Sequence, residues 1–254
     1  MTVTAVDLPM PDGGTCDALL ARPDGDDLSP LPGVLLIMDA VGLRPQIATM
    51  AARVANWGYA VLAPNTFWRA GRQPLMPVEL LAADRRDERM AVMGPLMGSL
   101  TGERWASDGP AYLDALDART PVTDDPTRIV GYCMGGRLGV ALAAAEPDRV
   151  AVVAGFHPGG LVTPGADSPH LRLATVRARL HFGYADADAS MPAEAQQIFA
   201  EAAAAAGCHL TADLYAGAAH GFTMADLPAY SPEADARHWR ELEAVFAADQ
   251  SPSS

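Results

Sequence analysis

Short apolar runs alternate along this chain with segments of helical period, and that alternation leaves few folds open. Val34–Met38 is a continuous apolar run, as expected of a strand buried on both faces. Pro45–Trp57 follows, with Ile47, Met50, Ala51, Val54 and Trp57 at helical spacing and Gly58 at its end. Tyr59–Ala63 reads as the next strand. The pattern then repeats. Ile129–Tyr132, Val150–Phe156, Leu180–Gly183 and Leu210–Tyr215 read as strands, and Gly136–Ala145 as a helix of small residues. Pro192–Ala206 reads as a helix with Pro at its start and Gly207 at its end, where each belongs. Pro232–Ala247 reads as a last helix with Trp239, Leu242 and Phe246 on one face. This order predicts an α/β fold, a mostly parallel sheet with helices on both faces. Thr2–Leu8 and Thr15–Arg22, joined by Pro11-Asp12-Gly13-Gly14, read as an N-terminal hairpin.

The remaining stretches are less regular. Asp24–Pro32 reads as a polar loop and Asp249–Ser254 as a frayed polar tail. Gly71–Asp108 reads as helical, lying over the sheet, with Met76, Met90, Met93 and Met97 taken as core fillers. No linker divides the 254 residues, so one domain spanning 1–254 is expected.

Composition narrows the class of partner. With 18 Lys+Arg against 31 Asp+Glu the net charge is −13, which disfavours nucleic acid and anionic lipid. Half the residues are hydrophobic, too many for a disordered chain. No apolar run approaches a membrane span, and the N-terminal stretch has no basic residue before Arg22, unlike a signal peptide. The cysteines are three, Cys16, Cys133 and Cys208, with no C-x-x-C pair and no disulfide framework. A cytoplasmic protein, monomer or homodimer, is the expectation.

The most informative stretch is Ile129-Val130-Gly131-Tyr132-Cys133-Met134-Gly135-Gly136. A strand enters a turn of small residues and leaves as a helix, the layout of a nucleophile elbow with Cys in the usual place of Ser. The helix N-terminus then faces the side chain, which favours a thiolate. No G-x-S-x-G occurs. Cys16 and Cys208 read as buried small hydrophobes. A cysteine nucleophile needs a base, and the base an orienting carboxylate. His220 lies in Ala216-Gly217-Ala218-Ala219-His220-Gly221-Phe222, between the last strand and last helix, and is the preferred base. His157, directly after a strand, is the alternative. His181, His209 and His238 fall in or beside regular elements and read as structural. Asp186 and Asp188 both follow Leu180–Gly183 and both qualify as the carboxylate. Asp186-Ala-Asp188-Ala-Ser190 imitates the start of a calcium loop, but Met191 replaces its glycine and Gln197 its closing glutamate.

These pieces together resemble the dienelactone hydrolase family of the α/β-hydrolase fold. The resemblance rests on Gly131-Tyr132-Cys133-Met134-Gly135-Gly136, Gly183-Tyr184-Ala185-Asp186 and Gly217-Ala218-Ala219-His220-Gly221-Phe222. Weaker support comes from Met38-Asp39-Ala40-Val41-Gly42-Leu43 and Gly58-Tyr59-Ala60-Val61-Leu62-Ala63-Pro64. It covers about Gly13 to Phe246. It implies a triad of Cys133, His220 and Asp186, the family's G-x-x-D pattern selecting Asp186. It implies that Asp39, where the family has Glu, hydrogen-bonds the resting thiol. It implies an oxyanion hole made by the backbone N–H groups of Met134 and Ala40. No metal or organic cofactor is implied.

The resemblance also implies a small-molecule ester or lactone as substrate, cleaved by a cysteine-dependent carboxylic-ester hydrolase. One departure concerns the substrate. Met224 stands where the family has a carboxylate-binding arginine. With Tyr132, Phe222 and Trp68, it is expected to contribute to an apolar substrate site, and neutral esters to be preferred unless Arg69, Arg86 or Arg89 restores the charge. Two other readings are a binding protein without turnover and a thiol redox sensor, the latter lacking a nearby second cysteine.

Overall fold

A computed structural model describes residues 2–25 and 29–248. The expected frayed tail, and part of the Asp24–Pro32 loop, lie outside the described residues. The chain forms two compact units, 1–127 with 226–228, and 128–225 with 229–254.

In the first unit β1 (Thr2–Pro9) and β2 (Thr15–Arg22) form the expected antiparallel hairpin. β2 then pairs antiparallel with β4 (Ala60–Pro64), and β4 pairs parallel with β3 (Gly33–Ile37). Every residue of β3 and β4 is buried, so both faces are covered. α1 (Pro45–Ala55) presents Ile47, Met50, Ala51, Val54 and Ala55 to the core and packs on β2 and β4. The region expected to be helical over 71–108 resolves into short 3₁₀ turns and two helices, α2 (Arg86–Ser99) and α3 (Gly102–Arg119). The break is set by Thr101, whose side chain accepts from the Arg104 N–H as an N-cap. α3 buries Trp105, Tyr112, Leu113 and Leu116, whereas α2 buries no residue at all. The methionine expectation therefore needs correcting. Met76 is buried, beside Val41 and Leu80, but Met90 is exposed. α2 packs on the 3₁₀ turns Val78–Leu81 and Ala83–Arg85, which cannot bury a helix face.

In the second unit the strands are β5 (Thr127–Tyr132), β6 (Val150–Phe156), β7 (Arg179–Ala185) and β8 (Leu210–Tyr215), neighbours in that order. β6, β7 and β8 are parallel. β5 and nearly all of β6 and β7 are buried, while β8 is largely exposed, as befits an edge. α4 (Met134–Ala145) and α6 (Pro232–Ala247) pack on β6, and α5 (Ala193–Ala206) on β8. Gly207 ends α5 in the left-handed conformation. α4 begins two residues before the expected Gly136, because a single residue separates it from β5.

Candidate active site

That single residue is Cys133. Its φ of 54° and ψ of −116° form a conformation that costs a non-glycine residue on the order of 1–3 kcal/mol. Neighbouring backbone holds it there. Its N–H donates to the Phe156 carbonyl at 3.1 Å, and its carbonyl accepts from Gly136 and Gly159, each at 3.2 Å. Gly131 permits the turn, since a Cβ there would collide with the Gly135 carbonyl group. Cys133 is partly exposed, at the N-terminus of α4. Cys16 is buried, and burial pushes its thiol up to about 12.

His220, the expected base, is paired with a carboxylate. Its Nδ1 lies 2.6 Å from Asp188 Oδ2. The other oxygen, Asp188 Oδ1, accepts from the Ser190 backbone N–H at 2.8 Å and from its Oγ at 2.7 Å. Burial opposes a charge on His220, but hydrogen bonds to Asp188 and Cys133 overcome it and push the imidazole up to about 10. Burial likewise opposes ionised Asp188, yet its bonds from His220 and Ser190 hold the carboxyl below its ordinary range.

The carboxylate on His220 is therefore Asp188 and not Asp186. Asp186 is exposed, and its carboxylate accepts the Gly217 N–H at 2.8 Å. The chain reverses at Ala187, with φ of 50°, which sends Asp186 outward and buries Asp188. The sequence signal for Asp188 was Ser190 two residues on, the spacing of a side chain that folds back on its own loop. The alternative base, His157, meets no carboxylate. It is fully buried, with Nε2 on Thr223 Oγ1 at 2.8 Å and its ring edge-on to His220 at 5.2 Å. Burial, then His220 and His238, hold it neutral. His181 is buried on Thr211 Oγ1, and His209 is exposed.

Three expected substrate contacts lie in the core instead. Tyr132, Phe222 and Met224 have no exposed surface. The Tyr132 hydroxyl is 3.1 Å from His238 Nε2, and Phe222 stacks on Tyr215 at 4.6 Å. Tyr132 ends β5, and Phe222 and Met224 lie in tight turns after β8, at positions that the core fills. Met134 begins α4 and is buried, leaving its backbone rather than its side chain to act.

In the first unit, Asp39 and Ala40 follow β3 and are buried. Arg44 Nη1 is 2.6 Å from Asp39 Oδ1, and Arg44 Nη2 is 3.0 Å from Oδ2. Oδ1 also accepts the Val41 N–H. Arg44 reaches on to Asp226, at 2.6 Å through Nε. Burial works against the guanidinium's charge, and the two carboxylates more than restore it. The carboxylate expected to activate a thiol is thus committed to an arginine. The arginines expected to restore a substrate charge lie in the first unit, two of them with their own partners. Arg69 forks onto Asp108 and touches Asp12, Arg89 caps the Leu80 and Ala82 carbonyls, and the Arg86 side chain is 75% exposed. Trp68 is half-buried, its Nε1 donating to Asp108.

The sequence matches the Dienelactone hydrolase family over residues 16–249. A carboxymethylenebutenolidase of Pseudomonas sp. (strain P51) is 27% identical over 211 residues, 80% of this chain and 79% of the relative. A Klebsiella pneumoniae structure, described provisionally as a dienelactone hydrolase, superposes with a TM-score of 0.81 at 22% identity, covering 97% of this chain and 99% of the other. A dienelactone hydrolase-like promiscuous phosphotriesterase from metagenomic libraries gives 0.75 at 22% identity, covering 98% and 99%. At these identities the structural likenesses show the fold, that of the α/β hydrolases.

Proposed function

The chain belongs to the dienelactone hydrolase family, and we propose that it hydrolyses a small-molecule ester or lactone through Cys133. The observation that carries the reading is His220, hydrogen-bonded both to buried Asp188 and to the cysteine at the elbow. The Cys133 thiolate attacks the acyl carbon, and the Met134 amide donates to the developing oxyanion. The His220 imidazolium gives its proton to the departing alkoxide, leaving a thioester on Cys133. His220 then takes a proton from water, the hydroxide attacks the thioester, and the thiolate departs with the acid released. Asp188 holds Nδ1–H throughout, so that Nε2 does the proton transfer.

The substrate differs from that of a protein with the family's arginine after the histidine. Buried Met224 offers no cation there, and Arg69 and Arg89 are committed to Asp108 and to the Leu80 and Ala82 carbonyls. Three free cysteines suit a reducing cytoplasm. The test is an aryl ester followed by intact mass. Wild type should acylate at Cys133 and turn over, while Cys133→Ala should do neither. Acylation without release would instead favour the binding protein.

A further inference from the structure

Arg137 stands in the first turns of α4, four residues after Cys133, or about 6 Å along the helix axis. It is half-buried and makes no hydrogen bond or ion pair with any described residue. Burial disfavours its charge, and only the more distant charges of Cys133 and Asp167 offset that in part, so its pKa is held below its ordinary range. Its donor nitrogens meet solvent rather than a protein partner, which leaves them open to an anion. Its five donors form a fork that matches a carboxylate.

Its surroundings tie it to the triad. Gly160, at φ of 70°, has no Cβ, and one placed there would lie 3.2 Å from Arg137 Cδ and 3.9 Å from Nε. At the preceding Gly159 a Cβ would lie 3.0 Å from Ser190 Oγ and 3.9 Å from His220 Cε1. The two glycines thus make a strip of bare backbone that runs from His220 to the stem of Arg137. The strip is pinned at both residues, Gly159 N–H to the Cys133 carbonyl and Gly160 N–H to the Ser190 carbonyl.

We propose that Arg137 is a specificity-determining residue that receives a carboxylate carried on the acyl part of the substrate, the acyl chain lying along Gly159 and Gly160. This rests on Cys133 being the nucleophile. It reverses the preference for neutral esters drawn from Met224 alone. One helical turn between nucleophile and cation suits a half-ester of a short dicarboxylic acid.

The experiment compares p-nitrophenyl hydrogen glutarate with its neutral methyl ester. Wild type should favour the anion in kcat/KM by about ten- to a hundredfold, the worth of one charge-assisted hydrogen bond. Arg137→Gln should bring the anion-to-neutral ratio close to one, and Arg137→Lys should keep part of it. An unchanged ratio in Arg137→Gln, or a wild type that favours the methyl ester, overturns the proposal. A second readout needs no turnover. Glutarate should slow iodoacetamide alkylation of Cys133 in wild type and fail to do so in Arg137→Gln. Hydrolysis of neither ester with protection intact would sink the hydrolase reading alone, and protection absent from wild type would sink the Arg137 subsite.

Discussion

Asp39 follows β3 in the first unit, and Asp188 lies three residues beyond β7 in the second; both carboxylates are buried, one against an arginine and the other against a histidine. The difference decides what each can do. Arginine does not release its proton in a protein, so Arg44 takes no part in proton transfer, and its pairing with Asp39 holds the loop in place. Histidine titrates, and a carboxylate on its Nδ1 sets which nitrogen carries the proton. A buried aspartate after a strand is therefore not a catalytic signal until its partner is known.

The contrast can be broken experimentally. The largest effect is expected at the proposed nucleophile: Cys133→Ala should abolish ester hydrolysis, and retained activity would dismiss the whole site. Next, Asp188→Asn should lower kcat on the order of 10³-fold or more, while Asp186→Asn stays within a few-fold. The opposite ranking in steady-state kinetics would hand the role back to Asp186. Asp39→Asn should act on stability instead. It leaves Arg44 buried with only Asp226 to neutralise it, a loss of about 2 kcal/mol, or about 4–8 °C in Tm. A collapse of kcat at unchanged Tm would show that Asp39 joins the chemistry after all.

The smallest effect is in pH dependence. His220 is raised from 6.5 to about 10, so its pairing stabilises the fold fully below 6.5 and the contribution is lost as pH rises through about 10. Asp188 is lowered, so its contribution is present above the ordinary carboxylate range and is lost as pH falls through its folded value. Because the histidine is a third exposed, the pair is worth only about 1 kcal/mol, or about 2–4 °C in Tm. The Tm gap between wild type and Asp188→Asn should be widest between the ordinary carboxylate range and pH 6.5, and close by pH 11. A gap constant with pH would mean that Asp188 and His220 do not act as a charged pair.

The chain itself determined the order of its elements, since hydrophobic period, turn residues and caps are local. It likewise set Cys133 and His220 in glycine-flanked turns, Gly131 serving close backbone approach, and Gly217 and Gly221 serving positive φ. Tertiary structure decided the partners. Whether Asp186 or Asp188 meets His220 turns on one positive φ at Ala187, which no residue type there announces. Arg44 meets Asp226 across 182 residues of sequence, and Tyr132 finds its hydrogen bond on His238, 106 residues on. Arg137 is set apart by being half-buried beside Gly160 without a partner, which becomes visible once the side chains around it have their places. Local pattern encodes where the backbone turns; which charges face each other depends on packing between segments that the sequence keeps far apart.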